Sequence, residues 1–399
     1  MNGAEAYNKA IELLRQGITP GGYLAATGHQ ANYHRIWARD GIITGLSALL
    51  TNDKELIAGL RKTILTLKAN QHKTGMIPSN VEIDAQGKVK EVSYGTITGK
   101  VDADLWFIIG TCLYFKKTQD QEFKDDMLTA IRKIFKVLAM WEFNGRGLLY
   151  VPQGGNWADE FVMEGYNLSE QFLYYWALSE AAQVYESDLF SKKAQRLKEL
   201  IVINYWPHEE NIERAYHKTA YHKQLAITKT DYWMAGFKSS GYYNYFDCFA
   251  HALSFMLEIN STVQKKKITA SINTITTELK DFLVPSFYPF IKETGDAWNT
   301  LQSNWTYQFR NFPGEYQNGG VWPIFNGLLI AGLYKSNENV LADKLRQALY
   351  RAVEMPDKQY GFYEYLDANN WTAGGVNHQL WSAAGVIFVE NAAHNNFII

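Results

Sequence analysis

Residues 41–50 read GIITGLSALL, and residues 321–333 read VWPIFNGLLIAGL. Neither stretch offers a polar face at helical spacing, and helices of this kind are buried on all sides. The same character recurs in four more stretches, at 105–112, 172–182, 249–259 and 380–389. Six helices that must be covered on every side predict an inner ring wrapped by further helices.

Helical periodicity runs from end to end of the chain, whereas strand signals are nearly absent. We predict twelve helices, near residues 3–17, 41–52, 54–69, 102–117, 122–141, 168–187, 189–203, 244–259, 262–283, 322–335, 338–354 and 379–391. The six outside the buried set expose a polar face, as in SKKAQRLKEL at 191–200, and belong on the outside. This alternation predicts an all-α fold, an (α/α)6 barrel that residues 1–399 form as one domain. The alternative is an α-solenoid, although the repeats share no local sequence signature.

The composition argues against several classes of protein. The chain has 399 residues and a net charge of −2, without the basic block that nucleic-acid binders need. Its longest apolar stretch, 321–333, is shorter than the roughly 20 residues of a membrane span. The amphipathic start at 1–15 does not have the pattern of a signal peptide. We therefore expect a cytoplasmic protein without nucleic-acid or membrane partners, and its oligomeric state stays open.

The sequence shows no convincing metal site. Asp102 and Asp104 lack a third ligand at useful spacing, and His217 and His222 are five residues apart and do not share a helix face. The two cysteines, at positions 112 and 248, each fall in an apolar helical pattern. Buried free thiols are the simplest interpretation, and a disulfide is the alternative. We predict neither a metal nor a cofactor.

Aromatic residues are abundant, with 25 Tyr, 21 Phe and 12 Trp. Many lie not in helices but in the stretches that lead into the six buried ones, together with carboxylates and amides. If the buried helices run parallel, these stretches converge on one face of the barrel. A cleft of aromatic rings, carboxylates and amides suits a sugar, whose ring faces are apolar and whose hydroxyls need polar partners.

Several short motifs in these stretches supply the candidate residues. Near the first buried helix the chain reads Trp37-Ala-Arg39-Asp40, and near the second it reads Tyr94 through Asp102-Ala-Asp104-Leu-Trp106. The third helix follows Asn156-Trp157-Ala-Asp159. Before the fifth and sixth helices lie Glu315, Asn318-Gly-Gly-Val-Trp322-Pro323, Tyr363-Glu364-Tyr365 and Gln379-Leu-Trp381. Taken singly, Asp40, Asp102 and Asp159 also suit helix N-caps.

Together, in this order, the motifs resemble those of the inverting (α/α)6-barrel glycoside hydrolases. That group includes the amylo-α-1,6-glucosidase domain of glycogen-debranching enzymes and the neutral/alkaline invertases. Trp37 to Asp40 resembles their Trp-x-Arg-Asp motif, and Asn156 to Asp159 resembles their Trp-x-Asp motif. The segment around Asp102 is similar to the debranching enzymes, and Asn318 to Pro323 is similar to the Asn-Gly-Gly-x-Trp-Pro block of the invertases. The matches run from residue 33 to 385.

The resemblance implies a hydrolase that releases a terminal sugar, most simply glucose, from an α-glucoside or oligosaccharide with inversion. It implies Asp159 as general acid and Glu364 as general base, with Glu315 as the alternative base. Arg39 and Asp40 are expected to hold the terminal sugar. The other predicted substrate-binding residues are Trp37, Tyr94, Asp102, Asp104, Asn156, Trp157, Glu315, Asn318, Trp322, Gln379 and Trp381. Trp157, with Glu160 or Glu164, is expected to raise the pKa of Asp159.

Three other functions stay open at this point. The first is a sucrose-cleaving invertase, although the invertases continue after Asp159 with basic residues and this chain continues with Glu160-Phe161-Val162. The second is a sugar epimerase on the same barrel, working through histidines such as His251 and His378. The third is a carbohydrate-binding protein without catalysis. In each case the expected partner is a small carbohydrate.

Overall fold

A computed structural model describes residues 3–28, 31–95, 98–227, 231–280, 282–355 and 359–399. The inner ring consists of α2 (Ala38–Thr51), α4 (Val101–Thr118), α6 (Leu168–Val184), α9 (Cys248–Met256), α12 (Pro323–Lys335) and α14 (Leu380–Ala393). The outer ring consists of α1 (Gly3–Gln16), α3 (Lys54–Ala69), α5 (Gln121–Trp141), α7 (Asp188–Tyr205), α10 (Thr262–Glu278) and α13 (Asn339–Glu354). Each inner helix packs against the next, and α14 packs against α2, which closes the ring. The predicted (α/α)6 barrel is confirmed.

All twelve predicted helices are present, with boundaries that differ by a few residues. The largest differences are at the start of α9, four residues later than predicted, and at the end of α10, five residues earlier. Two further helices were not predicted: α8 (Lys218–Ile227) and the short α11 (Trp298–Gln302). Both lie in long connections between the rings, where they add no stripe of apolar residues that a periodicity search could detect.

The structure also contains twelve short strands that the sequence pattern did not reveal. They are β1 (Ile18–Thr19), β2 (Gly22–Tyr23), β3 (Ile36–Trp37), β4 (Asn80–Ile83), β5 (Val89–Ser93), β6 (Tyr166–Asn167), β7 (Gly236–Lys238), β8 (Gly241–Tyr243), β9 (Phe246–Asp247), β10 (Phe287–Tyr288), β11 (Tyr365–Leu366) and β12 (Ala373–Gly374). They pair antiparallel in five sheets: β1-β2, β3-β4-β5, β6-β7-β8, β10-β9 and β11-β12. Most have two or three residues, too few for an alternating pattern to stand out.

These strands fix the points where the inner helices begin. β3, β6 and β9 run directly into α2, α6 and α9. Before α12 and α14, the backbone is paired instead through single β-bridges, between Val321 and Leu366 and between Ala26 and Gln379. At α4, Val101 N donates to Gly155 O at 2.8 Å. The backbone that leads into each inner helix is therefore hydrogen-bonded to a neighbouring segment.

The capping residues differ between the two rings. In the outer ring, Asp53, Asp120, Ser187 and Ser261 each accept a hydrogen bond from a backbone N–H of the helix that follows. The residues before α2, α4, α6, α12 and α14 form no such bond, and Asp247 before α9 is the exception. The N-cap alternative for Asp40, Asp102 and Asp159 is thus wrong, because none of the three is the residue directly before the first residue of a helix.

The interior of the barrel is filled by side chains. The ring of Trp106 on α4 lies 6.2 Å from that of Phe249 on α9, which lies 4.9 Å from Phe325 on α12. On the other side α12 and α14 touch through glycines, since a Cβ at Gly327 would lie 2.5 Å from Gly385 Cα. Aromatic rings and close helix contacts therefore fill the centre of the ring.

Cys112 on α4 and Cys248 on α9 are buried free thiols, as the simplest interpretation of the sequence predicted. Within the described ranges, no helix is both long enough and apolar enough to cross a membrane.

Candidate active site

The start of α2 reaches across the end of the barrel to two other inner helices. Arg39 Nη1 lies 2.9 Å from Asp102 Oδ2 on α4, and the Arg39 guanidinium carbon lies 5.4 Å from the ring centre of Trp381 on α14. Burial tends to lower the pKa of Arg39, but the carboxylates of Asp102, Asp40 and Asp159 outweigh it and raise the pKa. The inner-helix starts converge on one face, as predicted.

Asp40 lies beside Arg39 and is buried, with its Oδ2 3.5 Å from Arg39 Nε. Neither of these two atoms forms a hydrogen bond to the described chain. Burial raises the pKa of Asp40, and the Arg39 charge opposes this only in part. A donor and an acceptor are therefore available side by side, which suits a pair of sugar hydroxyls.

Three buried tryptophans pack together beside Arg39. Trp157 packs its ring 5.5 Å from that of Trp322, which in turn lies 5.7 Å from Trp381. The indole nitrogens of Trp157 and Trp381 have no partner in the described chain, whereas that of Trp322 donates to Tyr316 O at 3.0 Å. Trp37 also donates to backbone, at Asn32 O.

Asp159 is bonded on both oxygens. Lys100 Nζ lies 3.2 Å from its Oδ2, and Gln317 Nε2 donates to its Oδ1 at 3.0 Å. Its side chain is nevertheless 41% exposed, as expected for a carboxylate that lines an open cleft. Burial favours a higher pKa, but Lys100, Gln317 and Arg39 outweigh it and lower the pKa of Asp159.

The prediction that Asp159 has a raised pKa is thus wrong for the free protein. The Trp157 ring turns toward Phe287 and Phe325, 5.6 and 4.4 Å away between ring centres. Glu164 pairs instead with Lys238 at 3.1 Å. Glu160 has its own surroundings: its Oε1 accepts a bond from Thr306 N and its Oε2 is buried without a partner in the described chain.

Glu364 has the opposite surroundings to Asp159. It is 3% exposed; Tyr33 Oη donates to its Oε1 at 2.8 Å and Val376 N donates to its Oε2 at 3.3 Å. Burial raises its pKa to about 7, although Arg310, Tyr33 and Val376 act against that shift. Gly375, at φ +72°, lets the backbone pass close to the carboxylate, because a Cβ there would lie 2.1 Å from Oε2.

Glu315, the alternative base, lies near Asp367 and Tyr365. Burial and the charge of Asp367 raise the pKa of Glu315, and the charge of Glu315 in turn helps to raise the pKa of Tyr365. No hydrogen bond or ion pair in the described chain links Glu315 to Arg39 or Asp159. Glu364 interacts electrostatically with Arg310 and Asp40, whereas the charge that acts on Glu315 is that of Asp367.

Three further predicted residues serve the framework. Tyr94 Oη donates to Asn70 O at 2.6 Å, and Asp104 Oδ1 accepts from Ile77 N at 2.7 Å. Residues two apart on a helix do not share a face, which explains why Asp104 turns away from Asp102. Asn318 uses its amide on the backbone of residues 291 and 311.

Asn156 and Gln379 lie at the cluster but play different parts. Asn156 Nδ2 donates to Glu170 Oε2 at 3.3 Å, and its Oδ1 accepts from Ala158 N. Gln379, just before α14, keeps a buried Oε1 without a partner in the described chain. Of the two, only Gln379 offers a free side-chain acceptor.

A buried carboxylate group beside Asn156 was not assigned from the sequence. Glu170 is fully buried and its pKa is raised to about 8, by burial first and by the charges of Asp102 and Asp247. Burial likewise raises the pKa of Asp247 to about 7. Glu170 Oε1, Asp247 Oδ2 and both polar atoms of the Asn167 amide lack partners in the described chain. These groups form a buried polar cluster at the starts of α6 and α9.

Sequence reasoning also missed four residues that contact or face the two carboxylates: Tyr33, Lys100, Arg310 and Gln317. The guanidinium carbon of Arg310 lies over Tyr316, 3.8 Å from the ring centre, and Arg310 forms no hydrogen bond or ion pair within the described chain. For Tyr33, Lys100 and Gln317, the only sign of a role at the site was that they lie in or next to the recognised motifs. Arg310 follows an irregular stretch and carried no signal of its own.

The histidines do not favour an epimerase. His251 Nδ1 lies 2.7 Å from Asp247 O, and Trp233 N donates to its Nε2 at 3.2 Å. Both ring nitrogens are thus occupied by backbone groups, and burial lowers the pKa of His251 to about 3. His378 is exposed. In the described part of the chain, no three His, Cys, Asp or Glu side chains are grouped to hold a metal ion.

Comparison with known proteins identifies the family of the chain. The sequence model of the family described as alkaline and neutral invertase matches residues 5–239. The chain belongs to the alkaline and neutral invertase family. It is 23% identical to neutral/alkaline invertase 3, a chloroplastic protein of Oryza sativa subsp. japonica, over 96% of this chain and 72% of the relative. It is 23% identical to cytosolic invertase 1 of the same plant, over 98% and 79%.

Solved structures share the fold of this invertase-family chain at low identity. The GH63 mannosylglycerate hydrolase of Thermus thermophilus, in complex with glucose, superposes with a TM-score of 0.67 at 14% identity, over 96% of this chain and 98% of that one. A wild-type glycosidase superposes with a TM-score of 0.63 at 15% identity, over 98% of both. The resemblance noted from the motifs is confirmed, and the protein is a glycoside hydrolase.

Proposed function

We propose that this glycoside hydrolase releases the terminal glucose of an α-glucoside or short oligosaccharide with inversion at the anomeric carbon. The observation that supports the proposal is that Asp159 and Glu364 interact electrostatically with the same two residues, Tyr316 and Asp40. The charges of both carboxylates raise the pKa of Tyr316, and Asp40 interacts electrostatically with each of them. Inverting hydrolysis needs two carboxyl groups about 6.5–9.5 Å apart, with room for a water between one of them and the sugar.

In this mechanism Asp159 is the general acid and Glu364 the general base. The Asp159 carboxyl protonates the glycosidic oxygen as its bond to C1 breaks. A water then attacks C1 from the opposite face and gives its proton to Glu364. The exposure of Asp159 to the cleft suits contact with a leaving group, and the hydrogen bonds from Tyr33 and Val376 fix the orientation of Glu364.

The remaining pocket residues suit a single terminal sugar. Asp40 Oδ2, Gln379 Oε1 and the indole N–H of Trp381 lack partners in the described chain and can bind its hydroxyls. Below them, Trp106, Phe249 and Phe325 fill the barrel, so a polymer cannot pass through. A pocket closed in this way favours cleavage from a chain end.

Sucrose is the second candidate substrate, favoured by membership of the invertase family and by relatives named as invertases. Against it, Glu160 stands next to Asp159 where a basic residue would be expected, and its buried Oε2 has no partner in the described chain. Cleavage rates for sucrose, isomaltose, kojibiose and a mannoside of glycerate would rank the leaving groups. The last compound is included because of the mannosylglycerate hydrolase that shares the fold.

Proton NMR of the reaction mixture tests the mechanism. We expect the β-anomer of glucose to appear first from an α-glucoside, before mutarotation. First appearance of the α-anomer would contradict the two-carboxylate inversion, whichever substrate is cleaved fastest.

A further inference from the structure

The two carboxylates of the proposed pair are held in unequal ways. Asp159 has an ammonium group 3.2 Å away and accepts a second bond from an amide. Glu364 accepts bonds from a phenol and a backbone N–H, and no cation of the described chain lies within ion-pair distance of it. An ion pair favours the charged form of a carboxyl, whereas burial without one favours the protonated form.

Lys100 is fixed in its place. Besides Asp159, its Nζ donates to Gly154 O at 2.6 Å and lies 3.4 Å from Asn156 O. It is 12% exposed and immediately precedes α4. Since these partners all belong to residues 154–159, the ammonium group ties that loop to α4 and keeps its charge at Asp159.

Other charged groups face each carboxyl from several elements. Around Asp159 these are Arg39 and Asp40 of α2, Glu160 next in sequence, and Tyr316 before α12. Around Glu364 they are Tyr33 and Asp40, with Arg310, Tyr316 and Tyr365. Arg39 and Lys100 both lower the pKa of Asp159, and of the two it is Lys100 that forms a hydrogen bond with it.

We propose that Lys100 is a positioning residue that decides where the one proton shared by the pair resides, keeping Asp159 ionised and leaving the proton on Glu364 in the free enzyme. The inference rests on the proposed function, because it concerns the same two carboxyl groups. It adds to that function a residue to which the sequence motifs assigned no role, and a location for the proton.

The proton count supports this arrangement. In the proposed reaction, Asp159 gives its proton to the leaving oxygen as the C1–O bond breaks, and Glu364 takes a proton from water as the new C1–O bond forms. Catalysis therefore ends with Asp159 ionised and Glu364 protonated. That is the arrangement that Lys100 stabilises, so its charge assists the departure of the proton from Asp159. A transfer from Glu364 to Asp159 through solvent then restores the reactive arrangement.

The pH profile of kcat/KM, which reports the free enzyme, tests the proposal. With the proton on Glu364, the acid limb belongs to Asp159 and the alkaline limb to Glu364. Lys100→Met should then shift the acid limb upward by about one pH unit, the size typical of losing one adjacent opposite charge. The alkaline limb should stay in place.

Two matched variants sharpen this test. Lys100→Arg keeps the charge and should keep the acid limb close to that of the wild type. Arg310→Leu removes a charge that acts on Glu364 and should move only the alkaline limb upward. If Lys100→Met moves the alkaline limb, or neither limb, the proposal is wrong. A retained anomeric product in the wild type would contradict the proposed function instead, so the two failures are distinguishable.

Infrared difference spectroscopy locates the proton without relying on activity. At slightly acidic pH, the carbonyl band of protonated carboxyl groups should lose a component in Glu364→Gln and keep it in Asp159→Asn. The opposite loss would overturn the proposal. Because this measurement needs only folded protein, it also covers the case in which Lys100→Met disturbs the loop.

Discussion

The helices of the two rings begin in different ways. Short turns such as Asn52-Asp53 join inner to outer helices, so the rings run antiparallel and their helices start at opposite ends of the barrel. At the starts of the outer helices α3, α5, α7 and α10, Asp and Ser side chains accept bonds from the helix N–H groups, whereas Glu338 before α13 does not. At five of the six inner starts, no side chain does so. One end of the barrel is thus capped by its own side chains, and the other keeps its polar groups for other partners.

The pKa values of some carboxyl groups at the two ends are also shifted in opposite directions. At an outer start, the hydrogen bond from Arg15, with those from Leu56 and Glu55, lowers the pKa of Asp53 despite some desolvation. At the inner end, burial raises the pKa of Glu170 and Glu364 to about 8 and about 7. Asp53, which caps a helix, has both its charge and its hydrogen bonds satisfied. Glu170 is buried with one oxygen that has no partner in the described chain, which costs folding free energy, whereas Asp159 at the same end is ion-paired with Lys100.

The largest difference between the two ends should appear in turnover. Asp159→Asn and Glu364→Gln should each lower kcat by roughly 10²–10⁴-fold, the range for loss of a general acid or base. Asp120→Asn at the start of α5 is the matched change at the other end, and it should leave kcat unchanged because Asn also caps helices. Steady-state kinetics on one α-glucoside measure all three. Near-normal turnover in either site variant would exclude that residue from its proposed role.

Glu170 should make the stability of the wild type depend on pH. Its pKa is raised from 4.5 to about 8 in the folded state, so between these values the folded chain holds a proton that the unfolded chain has lost. The free energy of unfolding should therefore fall as pH rises through this window, by about 1.4 kcal/mol per pH unit for this group. Glu170→Gln cannot ionise. It should match the wild type at the acid end and exceed it by up to about 5 kcal/mol near pH 8.

Urea unfolding of wild type and Glu170→Gln at both ends of the window measures this difference. Glu199→Gln, on the exposed face of α7, controls for the loss of one carboxylate from the chain. An equal difference in stability at both pH values would show that Glu170 is ionised in the folded protein, and the two ends of the barrel would then be more alike than the structure indicates.

The smallest effect should come from an outer cap. Asp120 Oδ1 accepts from Phe123 N at 3.0 Å, and Asp120→Ala should cost about 1 kcal/mol of unfolding free energy. The same variant should keep wild-type kinetics. A fall in kcat without loss of stability would mean that the end away from the pocket also takes part in catalysis.

The fold could be predicted because the inner helices have a distinctive sequence. A run such as GIITGLSALL has no polar face, and twelve helices of two alternating kinds leave few arrangements. The short strands could not be predicted, because two residues such as Phe246-Asp247 carry no periodicity and depend on a distant partner, here Phe287-Tyr288. The late start of α9 has this cause.

The site could be predicted in part for a related reason. Arg39, Asp40 and Trp381 lie on helices, and their spacing from the helix start decides where they point. Asn318 belongs to an irregular loop, and its sequence does not tell whether its amide binds a ligand or the backbone. The pKa direction of Asp159 was beyond reach, because it depends on Lys100, 59 residues away in sequence, and on the bond that joins them.

The short sheets at the inner-helix starts have a consequence for how such a barrel can change. β3 holds the backbone before Arg39 through its pairing with β4, while the β4–β5 hairpin turns back at Asp84 and Gly87, away from that pairing. Lengthening the hairpin tip leaves the paired residues where they are. A lineage with this architecture can therefore exchange hairpin tips without disturbing the backbone that positions Arg39.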